Sequence, residues 1–156
     1  MPYFARNDSL KMETAKLQLT KIWKDEVENF YQMVVSASNG RFTATVEDYF
    51  VPEEIASFAQ QLLNFPQHLD HEVVFEWGKD HDDSDSYLRL RAYVYDQLGH
   101  VALEIRMRTN GIAPWTSSAC FAIATEAASL NKLGETLSRW ARSDEIEYVH
   151  EFYLRI

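Results

Sequence analysis

Few residues in this chain have the type and spacing to do chemistry, and most cluster in two places. The first is a run of imidazoles and carboxylates: His68, Asp70 and His71, then Asp80, His81, Asp82, Asp83 and Asp85. Such groups can ligate a divalent ion. The 80–85 run, however, lacks the glycine and distal glutamate of a calcium loop, and the histidines follow no zinc spacing. No metal and no cofactor are therefore expected, and the run reads as an acidic loop available to a cationic partner.

The second cluster comes from alternation. Arg89, Arg91 and Tyr93 interleave with Leu88, Leu90, Ala92 and Val94, and Arg106 and Arg108 interleave with Val101, Leu103, Ile105 and Met107. If these stretches are paired strands, the arginines and Tyr93 share one face. Guanidinium groups suit carboxylates and phosphates, so the face is a candidate anion site. Glu76 across from Arg89, or Glu104, would instead make it an internally paired network. Trp115, beside Pro114, either joins a binding rim or plugs the edge of the core. The single cysteine, Cys120, lies among Ala119, Phe121, Ala122 and Ile123 and reads as a buried core residue, not a nucleophile. There is no phosphate loop, dinucleotide fingerprint or nucleophile elbow, and no pairing of general acid and base; catalysis is not expected.

The elements that position these residues follow from periodicity. Leu17, Leu19 and Lys21 alternate with Gln18, Thr20 and Ile22, which suggests a first strand ending near Trp23; a helix over residues 10–30 is the competing reading, since the propensities there allow both. Phe30–Ala37 and Arg41–Phe50 flank Ser38-Asn39-Gly40, whose Asn-Gly favours a type I′ hairpin turn. That pairing places Met33, Val35, Ala37, Phe42, Ala44 and Val46 on the buried face. Pro52 with Glu53 and Glu54 opens a helix whose apolar stripe is Ile55, Phe58, Ala59, Leu62 and Leu63. Strands are expected at Glu72–Trp77, Tyr87–Tyr95 and His100–Arg108. Ala119–Thr125, apolar on both faces, suggests a central strand. Thr125 would cap a second helix over 126–142 with the stripe Leu130, Leu133, Leu137 and Trp140. The C-terminal residues from Glu147 have the character of an edge strand.

The fold class expected is α+β: one domain over 1–156, a meandering, mainly antiparallel sheet of about six to seven strands with two packed helices. Residues 1–14 are expected to form a loose tail. No internal repeat is visible.

Composition narrows the function classes. With 15 basic and 24 acidic residues the formal charge is −9, which argues against a nucleic-acid partner and suits a basic protein. No apolar run is long enough for a membrane span, and one cysteine precludes an internal disulfide, so a cytoplasmic setting is expected.

The succession of Val46–Tyr49, the Pro52-Glu53-Glu54-Ile55 helix start, Leu88-Arg89-Leu90, Gly99-His100-Val101-Ala102-Leu103 and Phe121 to Leu133 resembles a bacterial family. It is similar to the small immunity proteins associated with wall-associated polymorphic toxins, over roughly residues 30–142. The resemblance implies a non-catalytic protein that binds and blocks a toxin, with no catalytic residues to carry over. Many such toxins are basic nucleases, which an acidic inhibitor complements. Oligomeric state is not implied.

Overall fold

The computed structural model describes residues 14–80 and 85–154, so the expected tail at 1–14 falls almost wholly outside the described residues. Among the described residues there are eight strands and two helices. In chain order these are β1 (Lys16–Asp25), β2 (Phe30–Ser38), β3 (Thr43–Phe50), α1 (Pro52–Gln61), β4 (Glu72–Trp77), β5 (Tyr87–Val94), β6 (Val101–Arg108), β7 (Ser118–Thr125), α2 (Ala127–Ala141) and β8 (Glu147–Glu151). The α+β class is as expected, but the single meander is replaced by two four-stranded antiparallel sheets, ordered β3-β2-β1-β8 and β4-β5-β6-β7.

Those two orders conceal a repeat that the sequence does not display. Each half of the chain runs through three meandering strands, a helix and a further strand. The final strand of each half leaves its own sheet: β4 pairs with β5, the first strand of the second half, and β8 pairs with β1, the first strand of the first half. Both helices start two residues after a strand ends, behind extended N-cap residues, Val51 and Glu126, that offer no side-chain cap. Thr125 is therefore not the expected cap; its hydroxyl donates instead to the carbonyl of Tyr153, 2.6 Å away.

One core joins the layers. Leu19, Val35, Phe50, Ile55, Phe75 and Leu137, drawn from both sheets and both helices, converge on one point. The Phe50 ring lies 5.3 Å from that of Trp77, and Phe58 meets Phe75 edge-on at 5.8 Å, so aromatic contacts tie the two sheets together and α1 to β4. The helices cross closely at Gly134. A Cβ there would fall 2.5 Å from the Ala59 carbonyl oxygen and 2.9 Å from Leu62 Cβ. The glycine, unfavourable within a helix by about 1 kcal/mol relative to Ala, is what admits α1. Beside it, Asn131 Nδ2 donates to the carbonyls of Leu62 and Phe65, both at 2.8 Å, and so satisfies the C-terminal end of α1.

Several local expectations change for physical reasons. The β2–β3 hairpin closes through the four residues 39–42 and not a two-residue turn, because the Asn39 side-chain oxygen accepts from the N–H groups of Arg41 and Phe42. Ala37 then pairs with Ala44, a shift of two that preserves the faces but leaves Phe42 exposed. Leu63, just past α1, is also exposed. β7 is an edge strand, not a central one: Phe121 and Ile123 face inward, whereas Cys120 and Ala122 face solvent. Cys120 is thus exposed and directly opposite Arg106, contrary to the buried core position expected for it.

β1 continues to Asp25, and between Lys21 and Trp23 it is bulged. Lys21 stays on the inner face and is buried. Its ammonium donates to the carbonyls of Trp140 and Ser143, at 3.2 and 2.7 Å, and lies over the Trp140 and Tyr31 rings. A cation at the carbonyl end of α2 opposes the negative end of the helix dipole. Burial still lowers the Lys21 pKa, partly offset by Asp144.

Candidate functional site

The outer face of the β4–β7 sheet carries the arginines in the expected register. Glu76 pairs with Arg89 and Arg89 with Arg106; Val74 pairs with Arg91 and Arg91 with Glu104; Tyr87 pairs with Arg108. The charges are resolved diagonally. Arg89 reaches Glu104 at 3.0 Å, and Arg91 bonds Glu72 at 2.8 Å and also lies 3.7 Å from Glu104. Asp80 lies 3.6 Å from both Arg106 and Arg108, and Arg108 also donates to the Lys79 carbonyl. Tyr93 stacks under the Arg91 guanidinium, 4.2 Å from its ring centroid. The Arg91 hydrogen bond holds the Glu72 carboxyl below its usual range. Buried Tyr87 donates its hydroxyl to Glu76 at 2.5 Å; burial first and this bond second raise its pKa. The face is an ion-pair network in which every arginine is already engaged.

The other predicted residues separate. Asp80 belongs to that network; His81, Asp82 and Asp83 lie outside the described residues. Asp85 instead meets the opposite sheet. Ser86 donates its hydroxyl to the Glu47 carbonyl at 3.0 Å, which seats Asp85 in an open cleft with Gln32, Glu47, Asp48, Tyr49 and Asn110. Gln32 donates to Glu47 at 2.5 Å, and the Tyr49 N–H donates to Asp48 at 2.8 Å. Among the described residues no cation forms an ion pair with Glu47, Asp48 or Asp85. Burial, with a smaller contribution from Asp85, raises the Asp48 pKa against the lowering effect of the Tyr49 N–H.

Trp115 is 76% exposed on a structured loop. Thr109 and Ser117 close its base through N–H donation from Thr109 to the Ser117 carbonyl and from Ser117 to the Thr109 hydroxyl. The same loop contributes Asn110 to the cleft wall. Of the rest of the first cluster, Asp70 is exposed, while His68 stacks on His71 and His71 meets the Phe65 ring at a tilt, which organises the exit from α1. Among the described residues no group of three or more His, Cys, Asp or Glu is arranged to hold a metal ion.

Sequence reasoning missed the aromatic residues beyond the cleft. Trp23, Phe30 and Tyr49 stand on three adjacent strands of the other sheet's outer face, joined edge-on with centroids 6.2 and 5.4 Å apart. Trp23 is there because of the bulge. Simple alternation from Leu17 would turn it inward; the extra residue instead pairs it with Gln32, on the outer face. Ile22 and Trp23 are consequently both exposed, 53% and 51%, although adjacent in a strand.

No protein-family model matches the chain, and no curated protein matches it significantly.

Proposed function

We propose that the chain is a non-catalytic binding protein that captures a basic protein partner, in the manner of an immunity protein occluding a toxin. The observation that supports this reading is the distribution of charge. The arginine face is neutralised by its own carboxylates, whereas Glu47, Asp48 and Asp85 gather at a cleft without a cationic partner among the described residues. An unspent negative field steers and orients a positive protein surface. Next to the cleft, the loop bearing Trp115 and the exposed aromatics offer the side chains that most often carry interface energy.

The alternative, a domain that grips a small anion between Arg89, Arg91, Arg106 and Arg108, draws less support. A ligand there would have to displace Glu72 and Glu104 from contacts of 2.8 and 3.0 Å, and Asp80 from its ion pairs with Arg106 and Arg108 at 3.6 Å. Among the described residues no helix is long and apolar enough to cross a membrane, and a cytoplasmic setting belongs to the same proposal.

The test is coexpression with the toxin-like product of an adjacent gene. Restored growth and a stable complex in native mass spectrometry are expected. A neighbouring toxin that is neither bound nor neutralised would remove the reading.

A further inference from the structure

Resting on the reading just given, we infer that the docking surface is the outer face of the β3-β2-β1-β8 sheet at its Trp23–Phe30–Tyr49 end, and that its occupant is a segment alternating arginine or lysine with apolar residues. Three observations lead there.

First, no element among the described residues covers the face. Both helices and the opposing sheet pack on the inner side, where Leu17, Leu19, Met33 and Val35 are buried. Outside, Ile22, Trp23 and Tyr49 are each about half exposed, and the three aromatic rings form one continuous row. Together they present roughly 300 Å² of apolar surface, within the range of the largest patch on a typical monomer, which is often functional.

Second, the patch is built by a departure from regular structure. Without the bulge at Ile22 the Trp23 side chain would point to the core. Bulges re-aim side chains in this way, and here the effect is to bring two adjacent large apolar residues to solvent.

Third, charge complementarity selects the occupant. The β1–β2 turn at one end of the row carries Asp25, Glu26 and Glu28; the cleft at the other end carries Glu47, Asp48 and Asp85. Lys24, from the same stretch, lies over the Tyr31 ring on the opposite face and leaves this field intact. A second copy of the chain would bring its own −9 charge against these carboxylates and is disfavoured. A basic segment gains on both counts: its apolar side chains cover the row, and its cations reach the carboxylates at either end, with guanidinium stacking on Trp23 or Tyr49.

The test is an amide NMR titration of the whole chain with a peptide alternating arginine and leucine, beside its glutamate–leucine counterpart. The basic peptide should shift the signals of Trp23, Phe30, Tyr49 and Asp85 and leave those of Arg89 and Ala122 in place; the acidic peptide should shift none. Trp23→Ser and Tyr49→Ser, both at exposed sites, should weaken binding about tenfold or more while the spectrum stays folded. Shifts confined to the Trp115 loop would overturn this surface but leave a binding protein for basic partners intact. No binding of the basic peptide, equal binding of both peptides, or concentration-dependent self-association through Trp23 would each overturn the inference. The broader reading is decided separately by the coexpression experiment.

Discussion

Gly134→Ala puts two opposing effects against each other at one atom. In an isolated helix the added methyl would stabilise by about 1 kcal/mol, because alanine loses less backbone entropy. In this molecule the methyl would lie 2.5 Å from the Ala59 carbonyl oxygen, with Leu62 Cβ at 2.9 Å and Leu62 carbonyl carbon at 3.3 Å. None of these is the tip of a flexible side chain, so α1 itself must move. Overpacking of this kind costs about 1–3 kcal/mol or more. Moving α1 also stretches the two Asn131 hydrogen bonds to Leu62 and Phe65, each worth about 1 kcal/mol. The balance is a net loss of about 2–4 kcal/mol.

Urea denaturation followed by circular dichroism reads this directly. The midpoint should fall by about 1 M or more with an unchanged slope, and thermal unfolding should come at least about 4 °C earlier. Asn131→Ala should also lower the midpoint, and the double variant should lose less than the sum, since both changes loosen the same crossing. A Gly134→Ala midpoint equal to or above the parent's would show that α1 and α2 are not held at this separation, and the account of the glycine would fail.

Three further outcomes follow from the fold and the site. Fragments 1–80 and 85–156 should each be unfolded alone and should regain the native spectrum when mixed, because β4 pairs with β5 and β8 with β1 across the division; a cooperative unfolding transition in either fragment alone would contradict the exchanged strands. His150 is buried, its Nε2 3.1 Å from the Ser129 hydroxyl, and burial, with Lys132, lowers its pKa from the usual 6.5. The unfolded chain therefore takes up the proton first, so stability falls as pH drops below about 6.5 until the folded pKa is passed; His150→Gln should flatten that part of the urea-midpoint profile, and identical profiles would exclude the histidine as its source. Millimolar pyrophosphate should leave the melting temperature unchanged, since Arg89, Arg91, Arg106 and Arg108 already hold carboxylates; a rise of several degrees would restore the anion-binding alternative.

Much of the fold was legible because burial on one side imposes a period. Glu72–Trp77 and the arginine strands lie where alternation puts them, and Pro52 opens α1 as its fixed φ favours. The division into two sheets was not legible. It depends on which strands pair after each helix, and neither Glu72–Trp77 nor Glu147–Glu151 carries a local mark of its partner. β7 was misplaced because small apolar side chains such as Cys120, Ala122 and Ala124 read as buried from composition, although at a sheet edge they are tolerated on the exposed side. Lys21 follows alternation to the inner face, but its burial depends on carbonyls of Trp140 and Ser143 that are distant in sequence.

The candidate site divides the same way. Charge type and face were readable for the arginines, and the register bore out Glu76 across from Arg89. Glu104 was also readable as a partner, and it meets Arg89 diagonally; the pairing of Arg106 and Arg108 was not, because it runs across a loop to Asp80. That distinction decides which surface is spent. An arginine with a carboxylate in contact has little Coulomb energy left for a ligand, because the ligand must first replace its partner. A carboxylate with no cation in contact keeps its energy for whatever arrives. Among the described residues Glu47, Asp48 and Asp85 are such carboxylates, gathered beside Tyr49, and the bulge that turns Trp23 outward extends apolar surface away from that charge. On the proposed reading, a field that attracts cations beside aromatic surface that rewards desolvation is what a basic partner would use.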